Sequence, residues 1–147
     1  MASGTPEAGD FLSRGTLFRR VPNRPGFWDP DGGGPHGKPT ENAFRTRDWR
    51  GETGISTQFA EISPIELLTP PADALKDFPD FGLCSIDIDV FLAEIKRLRD
   101  TGFLDVDVAV RRSPNPHNPT HCDISPVNAT VRKVLARVAV GLKRPGI

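Results

Sequence analysis

Residues 81–110 read FGLCSIDIDVFLAEIKRLRDTGFLDVDVAV. The first eight, Phe81 to Ile88, have the β-branched and apolar content of a strand. From Asp89 the apolar period changes. Phe91, Leu92, Ile95 and Leu98 fall on one side of a helix, with Glu94, Lys96, Arg97 and Arg99 mostly on the other. Asp89 is placed to cap the start of that helix, and Gly102 to close it in the left-handed conformation. Residues 104–112, LDVDVAVRR, then alternate: Val106, Val108 and Val110 on one face, Asp105, Asp107 and Ala109 on the other. That is the pattern of a half-buried strand. A strand, a helix and a strand at this spacing form a crossover unit between parallel strands.

The same signals extend outward. In SPVNATVRKVLARVAVGL (125–142), Val131, Val134, Leu135 and Val138 lie at i, i+3, i+4 and i+7, so a second amphipathic helix is expected, ending at Gly141. Lys143 and Arg144 would then sit where a helix C-terminus favours cations. TLFRRV (16–21) is a strand candidate ended by Pro22, and shorter strands are expected near 54–59 and at His121 to Ile124. SPIE (63–66) combines an N-cap Ser63, a proline at the first helical position and Glu66 of a capping box. Pro70 and Pro71 keep that helix short, with a further helical turn through 72–76. Residues 1–15 read as a loose tail, and 22–43 as a long Pro/Gly-rich loop without regular structure, with Phe27 and Trp28 anchoring one end. The expectation is one α+β domain over 16–147: a small mixed β-sheet, two to three helices and a long irregular N-terminal loop.

Composition agrees with a globular domain. The chain has 147 residues, 37% hydrophobic and 26% charged. Its formal net charge is zero, which gives no electrostatic reason to expect nucleic acid or a membrane surface. The distribution is uneven. Residues 1–50 hold eight Lys/Arg against six Asp/Glu, residues 51–108 four against twelve, and residues 109–147 seven against one. An acidic middle between basic ends is most simply balanced within the molecule; a basic face for an acidic partner is the sharper alternative. Two cysteines, Cys84 and Cys122, no leader pattern and no long apolar run point to a reducing cytoplasm and away from a membrane.

The order of landmarks resembles a known pattern. LFRRVP at 17–22, AF at 43–44, GIS at 54–56, FGLCSI at 81–86, PTHCDI at 119–124 and VRKVLA at 131–136 resemble a group of small uncharacterised bacterial proteins with an LYRR start, an AF…LSV middle and a P.HA end. The match runs roughly from Leu17 to Ala136. It implies a bacterial, cytoplasmic, single-domain protein and carries over no catalytic residue. Cys122 stands where that group would have a small residue.

Several places could carry chemistry. SPNPHNPTHCDIS (113–125) holds His117, His121 and Cys122, but Pro116 and Pro119 bar the helix that would pair the histidines on a metal. No metal site is therefore expected, and no cofactor motif is complete. On a strand, His121 and Asp123 share one face, an arrangement able to support acid–base catalysis, while Cys122 and Ile124 face the core. Arg19 and Arg20 alternate across their strand, so one points inward and needs a carboxylate, Asp87 or Asp89 for instance, or an anionic ligand. With GISTQ (54–58), a strand arginine resembles the cleft of ADP-ribosyltransferase-type folds, although the glutamate motif those folds carry late in the chain is missing. GGGPHGK (32–38) is not a phosphate loop, because Pro39 replaces the required hydroxyl. Phe27, Trp28, Arg47, Trp49 and Arg50 form a candidate contact surface for a partner. The expected function is a non-catalytic accessory protein working through protein contacts, by way of its long N-terminal loop and basic C-terminal helix. The rivals are a small enzyme acting on a nucleotide or other anion, with Arg19 or Arg20 as clamp, and a nucleic-acid-binding module.

Overall fold

The computed structural model describes residues 9–45, the backbone of 55–59, and residues 80–113 and 121–146. Among the described residues nine strands run in chain order: β1 (Phe11–Leu12), β2 (Thr16–Val21), β3 (Trp28–Asp29), β4 (Lys38–Pro39), β5 (Ile55–Phe59), β6 (Gly82–Asp87), β7 (Ala109–Arg112), β8 (His121–Ser125) and β9 (Val140–Lys143). The helices described are α1 (Ile88–Asp100) and α2 (Ala129–Val138), with a 3-10 turn at Glu41–Phe44. Seven strands form one sheet in the order β1-β7-β8-β5-β2-β6-β9, while β3 and β4 pair separately. The α+β class is as the sequence implies.

Every pairing among the described residues is antiparallel, so the sheet is not the mixed one expected from the crossover. The crossover itself exists. Alternating directions through the strand order make β6 and β7 parallel, but β2, β5 and β8 lie between them. The spacing of a crossover reports that two strands run the same way, not that they are neighbours.

Strand alternation sorts the sheet into two faces. Leu17 and Val21 of β2, Cys84 and Ile86 of β6, Val110 of β7, and Cys122 and Ile124 of β8 are fully buried on the inner face. Against them pack Ile88, Phe91 and Ile95 of α1 and Val131, Val134 and Leu135 of α2. These are the stripes the helical period marks out. Burying each of these aliphatic or aromatic side chains stabilises the fold by roughly 1.5–3 kcal/mol. On the outer face Leu83 is also fully buried, in a small cluster with Phe18, Phe81 and Leu142.

Helix ends depart from expectation by small steps with clear causes. The N-cap of α1 is Asp87, whose carboxylate accepts from the Val90 amide at 3.2 Å, rather than Asp89. Asp87 is also the last strand residue, so one side chain serves the strand-to-helix corner. Gly102 closes α1 as expected, at φ +83. Residues 104–108 alternate in burial, with Leu104 and Val108 buried, yet strand structure starts only at Ala109. α2 is capped by Asn128, which accepts from the Val131 amide at 2.9 Å. It ends at Val138, and Gly141 lies inside β9 instead of closing the helix. A Cβ at Gly141 would collide with the Gly37 carbonyl and touch the Trp28 ring, so glycine lets the loop lie directly on β9.

The N-terminal segments are more ordered than their composition implies. Phe11–Leu12, within the expected tail, pair with β7, and the Gly9 amide donates to the Arg112 carbonyl at 2.9 Å. Within the loop expected to be irregular, Trp28 and Asp29 pair with Pro39 and Lys38. Phe27 and Trp28 pack on the main core, anchoring the loop as expected. The short helix expected to open at SPIE (63–66), the further helical turn over 72–76 and the residues Arg47, Trp49, Arg50 and His117 lie outside the described residues. Among the described residues no helix is long and apolar enough to cross a membrane.

Candidate functional site

The sequence-derived residues fall on opposite sides of the sheet. His121 and Asp123 share the outer face of β8, both half-buried, with His121 Nδ1 3.8 Å from Asp123 Oδ1. The residue that follows β7 adds a third group: Ser113 Oγ lies 2.8 Å from the same Nδ1, and the Ser113 carbonyl oxygen lies 3.1 Å from it. Ser113 is held there because its amide donates to the His121 carbonyl at 3.0 Å. Arg111 stands opposite Asp123 in the β7–β8 register.

A serine, a histidine and an aspartate together invite comparison with a nucleophilic relay. Such a relay needs the hydroxyl on one ring nitrogen and the carboxylate on the other, so that the proton taken on one side is balanced on the opposite side. Here all three groups converge on Nδ1. The backbone carbonyl and the carboxylate can only accept, which favours a proton on Nδ1 and a lone pair on Nε2. Ser113 therefore cannot pass its proton through the ring to Asp123. What the arrangement can do is fix the tautomer and orientation of His121 and hold Nε2 as an acceptor.

The inner face consumes Arg19 and the two cysteines. Arg19 shares its side with Leu17 and Val21, stands opposite Cys84 in the register, and donates from Nε to the Ala43 carbonyl at 2.9 Å. Its guanidinium carbon lies 5.7 Å from the centroid of the Phe44 ring, within cation–π range. Asp87 and Asp89, the carboxylates considered for an inward arginine, are exposed, and Asp87 caps α1. Arg20 points to the outer face, so the two arginines cannot close on one anion. Burial pushes the Cys84 thiol up to about 12, against the opposing pull of Arg19, so it is no thiolate nucleophile at neutral pH. Cys122 is fully buried beneath His121. Among the described residues no three His, Cys, Asp or Glu side chains come together as metal ligands.

A second assembly left little trace in the sequence. Lys38 donates from Nζ to the Arg137 carbonyl at 2.8 Å, across 99 residues, and so meets the C-terminal end of α2 where cations are favoured. Arg144, after β9, reaches the Pro35 carbonyl at 3.5 Å, and the Trp28 indole donates to the His36 carbonyl at 2.9 Å. The 3-10 turn packs on α2, and β4 lies against β9. Beside them Glu94 of α1 bridges Arg97 of its own helix and Arg137 of α2, the latter at 2.7 Å. The Arg97 hydrogen bond, with added pull from both arginines, holds the Glu94 carboxyl below its ordinary range. The Glu94–Arg137 pair is a local instance of acidic middle and basic end balancing each other. Glu94 and Arg97 could have been paired from their i, i+3 spacing; nothing local pairs Lys38 with Arg137.

Comparison with protein-family models, with curated proteins and with solved structures finds no match to this chain.

Proposed function

We propose that this chain is a non-catalytic accessory module of the bacterial cytoplasm that works through protein contacts, with the N-terminal hairpin and the C-terminal α2–β9 unit forming one surface. The observation that carries it is the Lys38 to Arg137 contact, which joins the two segments singled out in the sequence. The hairpin tip from Asp29 to Pro35 and His36 is largely exposed, while its base is anchored through Phe27 and Trp28. A presented tip on a fixed base limits the ordering cost of binding. The origin and compartment rest on the resemblance and on cysteine usage. The enzyme alternative has less behind it: Arg19 is engaged with Ala43 and Phe44, and the His121 cluster lacks relay geometry. For the nucleic-acid alternative, the net charge is zero and Arg137 is already paired with Glu94.

The test is a photo-crosslinking residue placed at His36 or, as a control, at exposed Arg14, in native cells. A discrete protein adduct from position 36 and none from position 14 supports the proposal. Equal adducts from both, or adducts to nucleic acid only, contradict it.

A further inference from the structure

Of the Asp, Glu, Lys and Arg residues in 109–147, seven are basic and one is acidic. Balance within the molecule would join that excess to the acidic middle through ion pairs. One such pair joins Arg137 of α2 to Glu94 at 2.7 Å. Lys133 and Arg144 have no ion pair among the described residues. Lys38 of the hairpin meets the Arg137 carbonyl rather than a carboxylate.

These cations are neighbours. Lys133 and Arg137 are exposed four residues apart on α2, one turn along the same side. The Lys38 Nζ lies 2.8 Å from the Arg137 carbonyl, and Arg144 reaches back to Pro35, three residues before Lys38. A row of positive charge thus runs from α2 across the base of the hairpin to the end of β9.

Arg144 separates this row from a merely solvated face. Its side chain is half-buried, and Nη2 has only the 3.5 Å contact with the Pro35 carbonyl. Its Nε is buried without an acceptor, alone in this among the side-chain nitrogens and oxygens of the described residues. A guanidinium so withdrawn from water costs free energy that a carboxylate, accepting from two of its nitrogens, offsets.

We propose that the surface shared by the hairpin and α2–β9 receives an acidic segment of a partner protein, with one carboxylate at Arg144 and others at Lys38 and Lys133. The proposal rests on the protein-contact reading and names the partner's chemistry. Separated cations suit a chain with several carboxylates better than one small anion. A nucleic-acid duplex, with a charge every ~1.7 Å, would bring more phosphates than this row can meet. At the hairpin tip Asp29 and Asp31 are exposed, so the segment is confined to the base.

The experiment is an amide-shift titration of the full chain with a glutamate-rich peptide, the same peptide carrying glutamines, and a duplex oligonucleotide. The glutamate peptide is expected to shift residues 35–38, 133–137 and 144, weakening with added salt, and the glutamine peptide to shift none. Lys133→Glu, at an exposed position, and Arg144→Gln should each weaken binding about tenfold. Spectra elsewhere should be unchanged; should Arg144→Gln fail to fold, Lys133→Glu decides. No shift at about 1 mM glutamate peptide, equal shifts with the glutamine peptide, unaltered binding in Lys133→Glu, or tighter binding of the oligonucleotide each overturn the proposal. A discrete position-36 crosslink without peptide binding would overturn the acidic partner alone and leave the contact surface standing.

Discussion

The two faces of the sheet carry similar residue types and put them to different uses. On the inner face, Arg19 and Cys84 sit opposite each other under two helices, and each is committed to packing or to a backbone carbonyl. On the outer face, His121, Asp123 and Ser113 cluster with side chains still partly open to water. The difference teaches that a reactive residue type acquires meaning from what covers it. Helices over the inner face turn an arginine and a thiol into structural parts, while the outer face leaves a histidine and an aspartate partly exposed.

The comparison can be broken most sharply in the core. Phe91→Ala, at a fully buried position on the sheet-facing side of α1, should cost about 3–5 kcal/mol in urea unfolding. A loss under about 1 kcal/mol would mean the inner face is not closed as described. Arg19→Ala comes next, at about 1–3 kcal/mol, because it leaves the Ala43 carbonyl without its donor. His121→Ala should stay within about 1 kcal/mol, since its partners remain near solvent. Equal effects at Arg19 and His121 would erase the distinction between the faces.

The thiols sharpen it further. Cys84 and Cys122 should resist alkylation in the native state and react on unfolding. The Cys84 thiol is raised in the folded state, so its contribution to stability is complete below the ordinary thiol range and lost as the pH climbs toward about 12. Fast native alkylation of Cys84 at neutral pH would reopen the inner face as a reactive one. The smallest effect belongs to Glu94. Its carboxyl is lowered by Arg97 and Arg137, so the pairing contributes above the ordinary carboxylate range and fades as the pH falls through the lowered value. Glu94→Gln should flatten that acid limb of the stability curve; an unchanged limb would show that the pair adds nothing measurable.

How much of this was legible follows from how local each cause is. Strand β2 was readable because TLFRRV carries its own strand chemistry and a proline stop. The helix α1 was readable because Phe91 and Ile95 keep the helical period and Gly102 ends it. The His121–Asp123 adjacency follows from strand alternation alone. β9 was hidden because Val138, Ala139 and Val140 continue the apolar run of α2; the break goes with the pairing of β9 to β6 and the close approach of Gly141 to Gly37 and Trp28, both contacts with distant segments. The alternation of Leu104, Val106 and Val108 reports burial of one side, which a connection lying along a helix shares with a strand. Ser113 could not be placed on His121, nor Lys38 on Arg137, because both contacts depend on how distant or looping segments are folded back.

The central claim is that hairpin and α2–β9 act as one contact surface, and the most direct measurement is crosslinking from position 36 in a Gly141→Ala background. The added methyl would push the hairpin off β9 while the helical core keeps its cooperative unfolding. The account predicts that the discrete protein adduct seen with Gly141 in place is lost in the Gly141→Ala chain. An adduct of undiminished yield, from a chain shown to be folded, would mean the hairpin acts alone and would contradict the composite surface.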